Sequence, residues 1–93
     1  MRTIKRFGRF KRDYKRESKG RFRETIAADL AAIVTQLAID APLEERHRDH
    51  ALTGDWQDHC DCHIEPDLVL IYRKPDDQTL QLVRLGSHAE LNL

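Results

Sequence analysis

No apolar run in the sequence comes near the roughly 20 residues that a membrane-spanning helix needs, so nothing in it reads as a membrane span. The basic N-terminus is not followed by an apolar segment, which argues against a secretory signal. Cysteine is scarce. Cys60 and Cys62 are the only two, and the loop they would close is too short to staple a fold. A reducing, cytoplasmic setting is the natural expectation. Repeats and low-complexity tracts are absent. Net charge is missing as well, since 16 Lys and Arg stand against 16 Asp and Glu, which argues against a simple charge-driven nucleic-acid binder. With 93 residues, 40% hydrophobic and 34% charged, the chain is expected to be one small globular domain spanning residues 1–93. A chain of this size buries about 60–65% of its unfolded surface, leaving no room for a second core.

The balanced total conceals an asymmetry. Residues 1–23 carry eleven Lys or Arg and two acids, a net of +9, whereas residues 24–93 carry five basic residues and fourteen acids, a net of −9. Such a basic block is either a solvated helix face or a phosphate-contacting surface.

Along the chain, "MRTIKRF" is a short first strand or a lead-in. Phe7, Phe10 and Tyr14 form a narrow apolar stripe on a charged helix, with Gly20 placed as its stop. Ile26, Leu30, Ile33, Val34 and Leu37 share one face of a second, alanine-rich helix that ends before Pro42. A very short turn between them would make a helical hairpin. Residues 41–57 read as loop, with a turn at Gly54. "DLVLIYRK" and "TLQLVRL" then alternate as strands around the turn "PDDQ". Helices followed by three or four strands on short connections predict an α+β fold, a helical hairpin packed on a small antiparallel sheet.

The segment "DHCDCHIEPD" gathers five metal-binding or titratable side chains at positions 59–63. If it is a strand, alternation sends His59, Asp61 and His63 to one face and Cys60, Cys62 and Ile64 to the other. A single zinc needs converging ligands, usually from two separated Cys-x2–4-Cys-type pairs, and this pattern offers neither. The cysteines read better as small core residues. The polar face, continuing to Glu65 and Asp67, is either a solvent-facing edge strand or one wall of a cleft. In "VRLGSHAEL", Ser87 and Glu90 have capping-box spacing, which would start a short helix with His88 in its first turn. Backbone N–H groups there favour a nearby phosphate. Arg84 shares strand parity with Leu80 and Leu82 and would extend their apolar strip, or pair with one of the many acids.

"HRDHALTGDWQDHCDCHIEPDLVLIYRK" followed by "LVRLGSHAEL" resembles the YafQ branch of the RelE/ParE toxin superfamily. The resemblance implies a RelE-like fold, mixed at its first strand. It implies a ribosome-dependent mRNA endonuclease (an mRNA interferase), the toxin of a type II toxin–antitoxin system that inhibits translation. Carried over by position, it places active-site residues at His50, Asp61, His63, Asp67, Arg84 and His88. It implies no cofactor. The implied partners are the ribosome with its mRNA, and a cognate DinJ-like ribbon-helix-helix antitoxin through which the complex would bind operator DNA. Two family positions depart: the aromatic that usually follows the Pro-Asp pair is Leu68 here, and the one near the C-terminus is Asn92. Both would be expected to stack on or orient an RNA base.

The chemistry fits these residue types. Metal-independent RNA cleavage needs a base for the ribose 2′-OH, an acid for the departing 5′-oxygen and a cation for the phosphorane. Histidine can serve either proton role. Arginine offers a two-point fork for phosphate. His63 and His88 are expected on opposite sides of the scissile phosphate with Arg84 between, and His50 and Asp67 completing the set. Lys11, Arg12, Lys15, Arg16 and Lys19 would grip ribosomal RNA. Two readings compete: a ParE-like toxin that acts by binding a protein such as gyrase, and a small metal-binding regulator built on the two Cys and five His.

Overall fold

A computed structural model describes residues 1–93. Along the chain come β1 (Thr3–Arg6), α1 (Gly8–Glu17), α2 (Ile26–Ala38), β2 (His50–Ala51), β3 (Cys60–Glu65), β4 (Leu68–Arg73), β5 (Thr79–Gly86) and α3 (His88–Leu91). The strands make one sheet in the order β1-β5-β4-β3-β2. β1 runs parallel to β5, and every other neighbouring pair is antiparallel. This is the expected α+β architecture with a mixed first strand.

The helices form for the reasons their patterns suggest. α2 buries Ile26, Leu30, Ile33, Val34, Leu37 and Ala38 along one face. Each fully buried aliphatic side chain contributes about 1.5–3 kcal/mol before chain entropy is charged against it. α1 is held by Phe10, and Lys15 and Arg16 in its last turn suit the negative end of the helix dipole. It stops at Ser18, whose hydroxyl turns back to donate to the Tyr14 carbonyl at 2.7 Å. The connection to α2 is longer than the very short turn expected. Residues 18–25 form successive tight turns, closed by Gly20 N–H to Glu17 O, Arg23 N–H to Gly20 O and Thr25 N–H to Phe22 O. That run carries Arg21 toward the far end of the sheet.

The sheet has two unlike faces. Toward the helices, Cys62, Ile64, Leu68, Leu70, Tyr72, Leu80, Leu82 and Leu85 join the α2 face and Phe10 in the main core. On the opposite face Val69, Ile71, Val83 and Leu91 make a small second cluster, flanked by Leu52 and Trp56. The cysteines lie behind the polar face of β3 as alternation requires. Cys62 is fully buried and Cys60 half-buried, and both are free thiols. Burial pushes both thiols up, away from the thiolate form that binds metals. Leu68 is 0% exposed and belongs to the main core. The expectation that this position meets an RNA base is therefore overturned: its side chain faces away from the polar side of β3.

Candidate active site

β3 is an interior strand. The two-residue β2, which the loop-like composition of residues 41–57 concealed, pairs with it and sets His50 opposite Asp61. The solvent-facing edge reading therefore fails, and Asp61 is 3% exposed. Its neighbour His59 lies outside the strand. Asp58 takes a left-handed backbone (φ 69°), which breaks the alternation, and the His59 ring instead meets Trp56 edge-on at 5.4 Å.

A cleft of about 760 Å³ opens over this second face, lined by His50, Asp61, His63, Arg84 and His88 together with Leu52, Trp56, Leu91 and Asn92. Asp67 does not line it but stands behind His88. At the β3–β4 turn, Asp67 Oδ1 accepts the His88 backbone N–H at 3.2 Å and its ring Nδ1–H at 3.0 Å. Its Oδ2 accepts a hydrogen bond from Arg21 Nη2 at 2.9 Å. The His88 hydrogen bonds and then Arg21 hold the Asp67 carboxyl down at about 2, so it is a fixed anion. With Nδ1–H so engaged, His88 presents Nε2 elsewhere. The capping box that starts α3 is complete, with Ser87 Oγ accepting the Glu90 N–H and Glu90 Oε1 accepting the Ser87 N–H.

His50 is set by a different device. Arg48 adopts a left-handed backbone (φ 47°), and its carbonyl accepts the His50 Nδ1–H at 2.7 Å. Nε2 then lies 3.1 Å from Asp61 Oδ1. That is ion-pairing distance but off the hydrogen-bonding line, and Asp61 Oδ1 is a buried oxygen without a hydrogen-bond partner. Burial raises the Asp61 carboxyl above its ordinary value, only partly opposed by His50, His63 and His88. His63 is pushed the other way, toward the neutral ring, by burial and by the neighbouring His88.

Two positional expectations change. The rings of His63 and His88 meet edge to face with centroids 4.9 Å apart. No phosphate fits between rings that close, so they form one group rather than opposite jaws. Arg84 does not extend the apolar strip of Leu80 and Leu82. A bulge makes Ile71 pair with Arg84 while Tyr72 pairs with Leu82, so Val83 is the extra residue. Leu85 resumes the core strip and Arg84 turns to the cleft. The acid it pairs with is Asp13 of α1, at 2.7 and 3.3 Å.

Among the five basic residues of the N-terminal block singled out for RNA, Lys11, Arg12, Lys15 and Lys19 are exposed and without ion pairs. Arg16 departs from that expectation. It bonds Asp13, Glu17 and the Leu85 carbonyl, and pairs with Glu90 at 3.2 Å. Arg21, Asp13 and the Leu52–Trp56 wall were not anticipated. Asp13 had a signal: one of only two acids in the basic block, it sits three residues from Phe10 on the buried stripe. No three His, Cys, Asp or Glu side chains converge into a metal-holding group.

Residues 2–93 match the family model described as the bacterial toxin of type II toxin–antitoxin system, YafQ. The mRNA interferase toxin YafQ of Escherichia coli K12 is 46% identical over 50 residues, 54% of this chain and 53% of that one. The chain thus aligns with about half the length of that relative. With the mRNA interferase toxin YafQ of E. coli B the identity is 36% over 92 residues, 98% of this chain and 96% of that one. Among solved structures, a copper-bound point mutant of a Helicobacter pylori toxin superposes with TM-score 0.88 at 34% identity, covering 98% and 99% of the two chains. The YafQ chain of the E. coli DinJ–YafQ complex superposes with TM-score 0.83 at 35% identity, covering 98% of both.

Proposed function

The chain belongs to the YafQ family of bacterial type II toxins, and on that premise we propose that it is an mRNA interferase, cutting ribosome-bound messenger RNA and so arresting translation. The observation that carries the proposal is the cleft itself, where three imidazoles, one buried carboxyl and one arginine converge beside a partly apolar wall of Leu52, Trp56 and Leu91. A protein that only binds another protein, as in the ParE-like reading, has no need of three proton carriers in one cleft.

In this reading the scissile phosphate sits before Arg84, whose guanidinium stabilises charge on the phosphorane. A base takes the ribose 2′-OH proton, the oxygen attacks phosphorus, and the departing 5′-oxygen collects a proton from an acid. The products are a 2′,3′-cyclic phosphate and a 5′-hydroxyl. Two units divide the proton work. In the His50–Asp61 pair, His50 Nε2 is free to take a proton, and the Asp61 carboxyl 3.1 Å away favours the charged ring that results. His88, steered and charge-balanced by Asp67, and packed on a neutral-leaning His63, is the other. Asp67 is a positioning residue here, acting through His88.

Lys11, Arg12, Lys15 and Lys19 grip ribosomal RNA, which lets a protein of zero net charge bind a polyanion. Asn92, on the cleft wall, takes the place of the family's C-terminal aromatic. Residues 1–93 act as one toxin domain, cytoplasmic because its substrate is, and no helix is long and apolar enough to cross a membrane. Its restraint is a DinJ-like ribbon-helix-helix antitoxin, as the E. coli complex suggests.

The test is induction of the chain alone in a bacterial host, with mapping of mRNA 5′ ends on isolated ribosomes. Growth arrest with new ends inside translated frames, both relieved by a co-expressed antitoxin and both persisting in chelator-treated extract, is the expected result. Arrest without mRNA cleavage, accompanied by gyrase inhibition, would transfer the assignment to the ParE-like mode.

A further inference from the structure

We propose that Asp13, on the buried side of α1, is a positioning residue for Arg84, fixing the guanidinium so that its remaining N–H groups meet the substrate phosphate. The proposal rests on the nuclease reading above and adds to it a residue from outside the cleft.

The argument starts at the edge of β5. β1 pairs with β5 only as far as Arg6 opposite Leu82. Past that point the Leu85 N–H and C=O have no strand partner on that side, and two side chains of α1 take the strand's place. Asp13 Oδ2 accepts the Leu85 N–H at 3.0 Å, and Arg16 Nη2 donates to the Leu85 carbonyl at 3.1 Å. The same Asp13 carboxylate takes Arg84 Nε at 2.7 Å and Nη2 at 3.3 Å. One carboxylate thus ties the backbone of Leu85 to the side chain of Arg84, just after the bulge that turns Arg84 to the cleft.

A two-point grip fixes both the plane and the rotation of the guanidinium, leaving Nη1 and the second Nη2 hydrogen for a phosphate. Arginine otherwise carries several free torsions, which would have to be ordered during the reaction. Asp13 is 4% exposed and α1 packs along β5, so the anchor itself is rigid. The price is electrostatic, because a carboxylate beside Arg84 weakens its pull on phosphate. If charge were the governing factor, removing Asp13 would speed cleavage. If orientation governs, removing it slows cleavage. The exposed cations Lys11, Arg12 and Lys15 lie on the same helix, so the element proposed to grip RNA with one face holds the catalytic arginine with the other.

Single-turnover cleavage of ribosome-bound mRNA should be measured for wild type, Asp13→Asn, Arg84→Ala and the double variant, with ribosome affinity measured alongside. Asp13→Asn should lower the cleavage rate by about 10²-fold, the cost of a misplacement near 1 Å, and leave ribosome affinity unchanged. In the Arg84→Ala background it should cost nothing further. An equal loss in both backgrounds would make Asp13 merely structural, and an unchanged or faster rate would make charge the governing factor; either overturns the proposal. If Asp13→Asn does not fold, Asp13→Glu enters the same cycle, since its longer arm displaces the guanidinium without removing the charge. The NMR resonance of the Arg84 Nε–H needs no catalysis. It should be slow to exchange in wild type and lost in Asp13→Asn. A wild-type protein that cleaves nothing would sink the nuclease reading alone, while that resonance would still report whether Asp13 holds Arg84.

Discussion

Asp61→Asn should make the protein more stable and less active at once. Asp61 is 3% exposed, its Oδ1 has no hydrogen bond, and burial raises its pKa above the ordinary 3.8. His50 cannot relieve it while neutral. Its Nδ1–H is donated to the Arg48 carbonyl, so the Nε2 that lies 3.1 Å from Asp61 offers a lone pair to an anion. An asparagine side chain reverses that mismatch, because its amide N–H can donate to Nε2. Leaving a buried polar group unpaired costs about 1–3 kcal/mol, and an amide recovers part of it, so a gain of about 1 kcal/mol is expected. For a domain of this size that raises Tm by about 4–8 °C. The pH dependence has a definite sign. A carboxyl whose folded pKa is raised binds its proton more tightly when folded, so wild type loses stability as pH rises from the unfolded value through the folded one. The Asn variant loses none, and the gap should be present at pH 7.5 and close below about pH 4. Thermal denaturation at several pH values, beside single-turnover cleavage, is the assay. A variant less stable than wild type at pH 7.5, or a gap that ignores pH, would refute the reasoning. Cleavage at the wild-type rate would remove Asp61 from the proton-transfer unit.

Replacing Lys11, Arg12, Lys15 and Lys19 together by Ala should weaken ribosome association and flatten its dependence on salt, with little change in Tm. Arg16→Ala should behave oppositely, lowering Tm with a small effect on association, because its bonds run to Asp13, Glu17, Glu90 and Leu85. Ser87→Ala removes one half of the capping box and should cost about 1 kcal/mol by chemical denaturation. The same change should slow cleavage, since α3 is only four residues long and carries His88. Cys60→Ser/Cys62→Ser should cleave mRNA in chelator at the wild-type rate per folded molecule, while losing stability from a hydroxyl at the fully buried position 62. Activity that disappears and returns with zinc would restore the metal reading.

Patterns of a single period were legible in the sequence. The buried face of α2 followed from apolar residues at helical spacing, and the division of β3 into a titratable and a cysteine face followed from strand alternation. The capping box at Ser87 was legible from residue spacing alone. What the sequence concealed are places where the period breaks or where partners are far apart in the chain. The bulge at Val83 flips the parity of β5, so strand alternation alone places Arg84 on the core face, whereas the ion pair and the cleft position are what the structure shows. Asp58, two residues before Cys60, likewise ends the alternation and removes His59 from the cleft. Leu68, where the resemblance implies an aromatic that meets RNA, has its side chain on the core side of the sheet. β2 is two residues long and carries no pattern, and only its pairing with β3 shows that His50 meets Asp61. Arg21 and Asp13 reach the site across 46 and 71 positions, to Asp67 and Arg84 respectively. No local spacing encodes such contacts.

The most direct test of the account is the single-turnover rate at which His63→Ala, His88→Ala and their double variant cut ribosome-bound mRNA. Each single change should cost about 10²–10⁴-fold. Because the rings touch and work as one unit, the double change should cost less than the product of the two. Cleavage near the wild-type rate by both single variants would contradict a proton-transfer cleft.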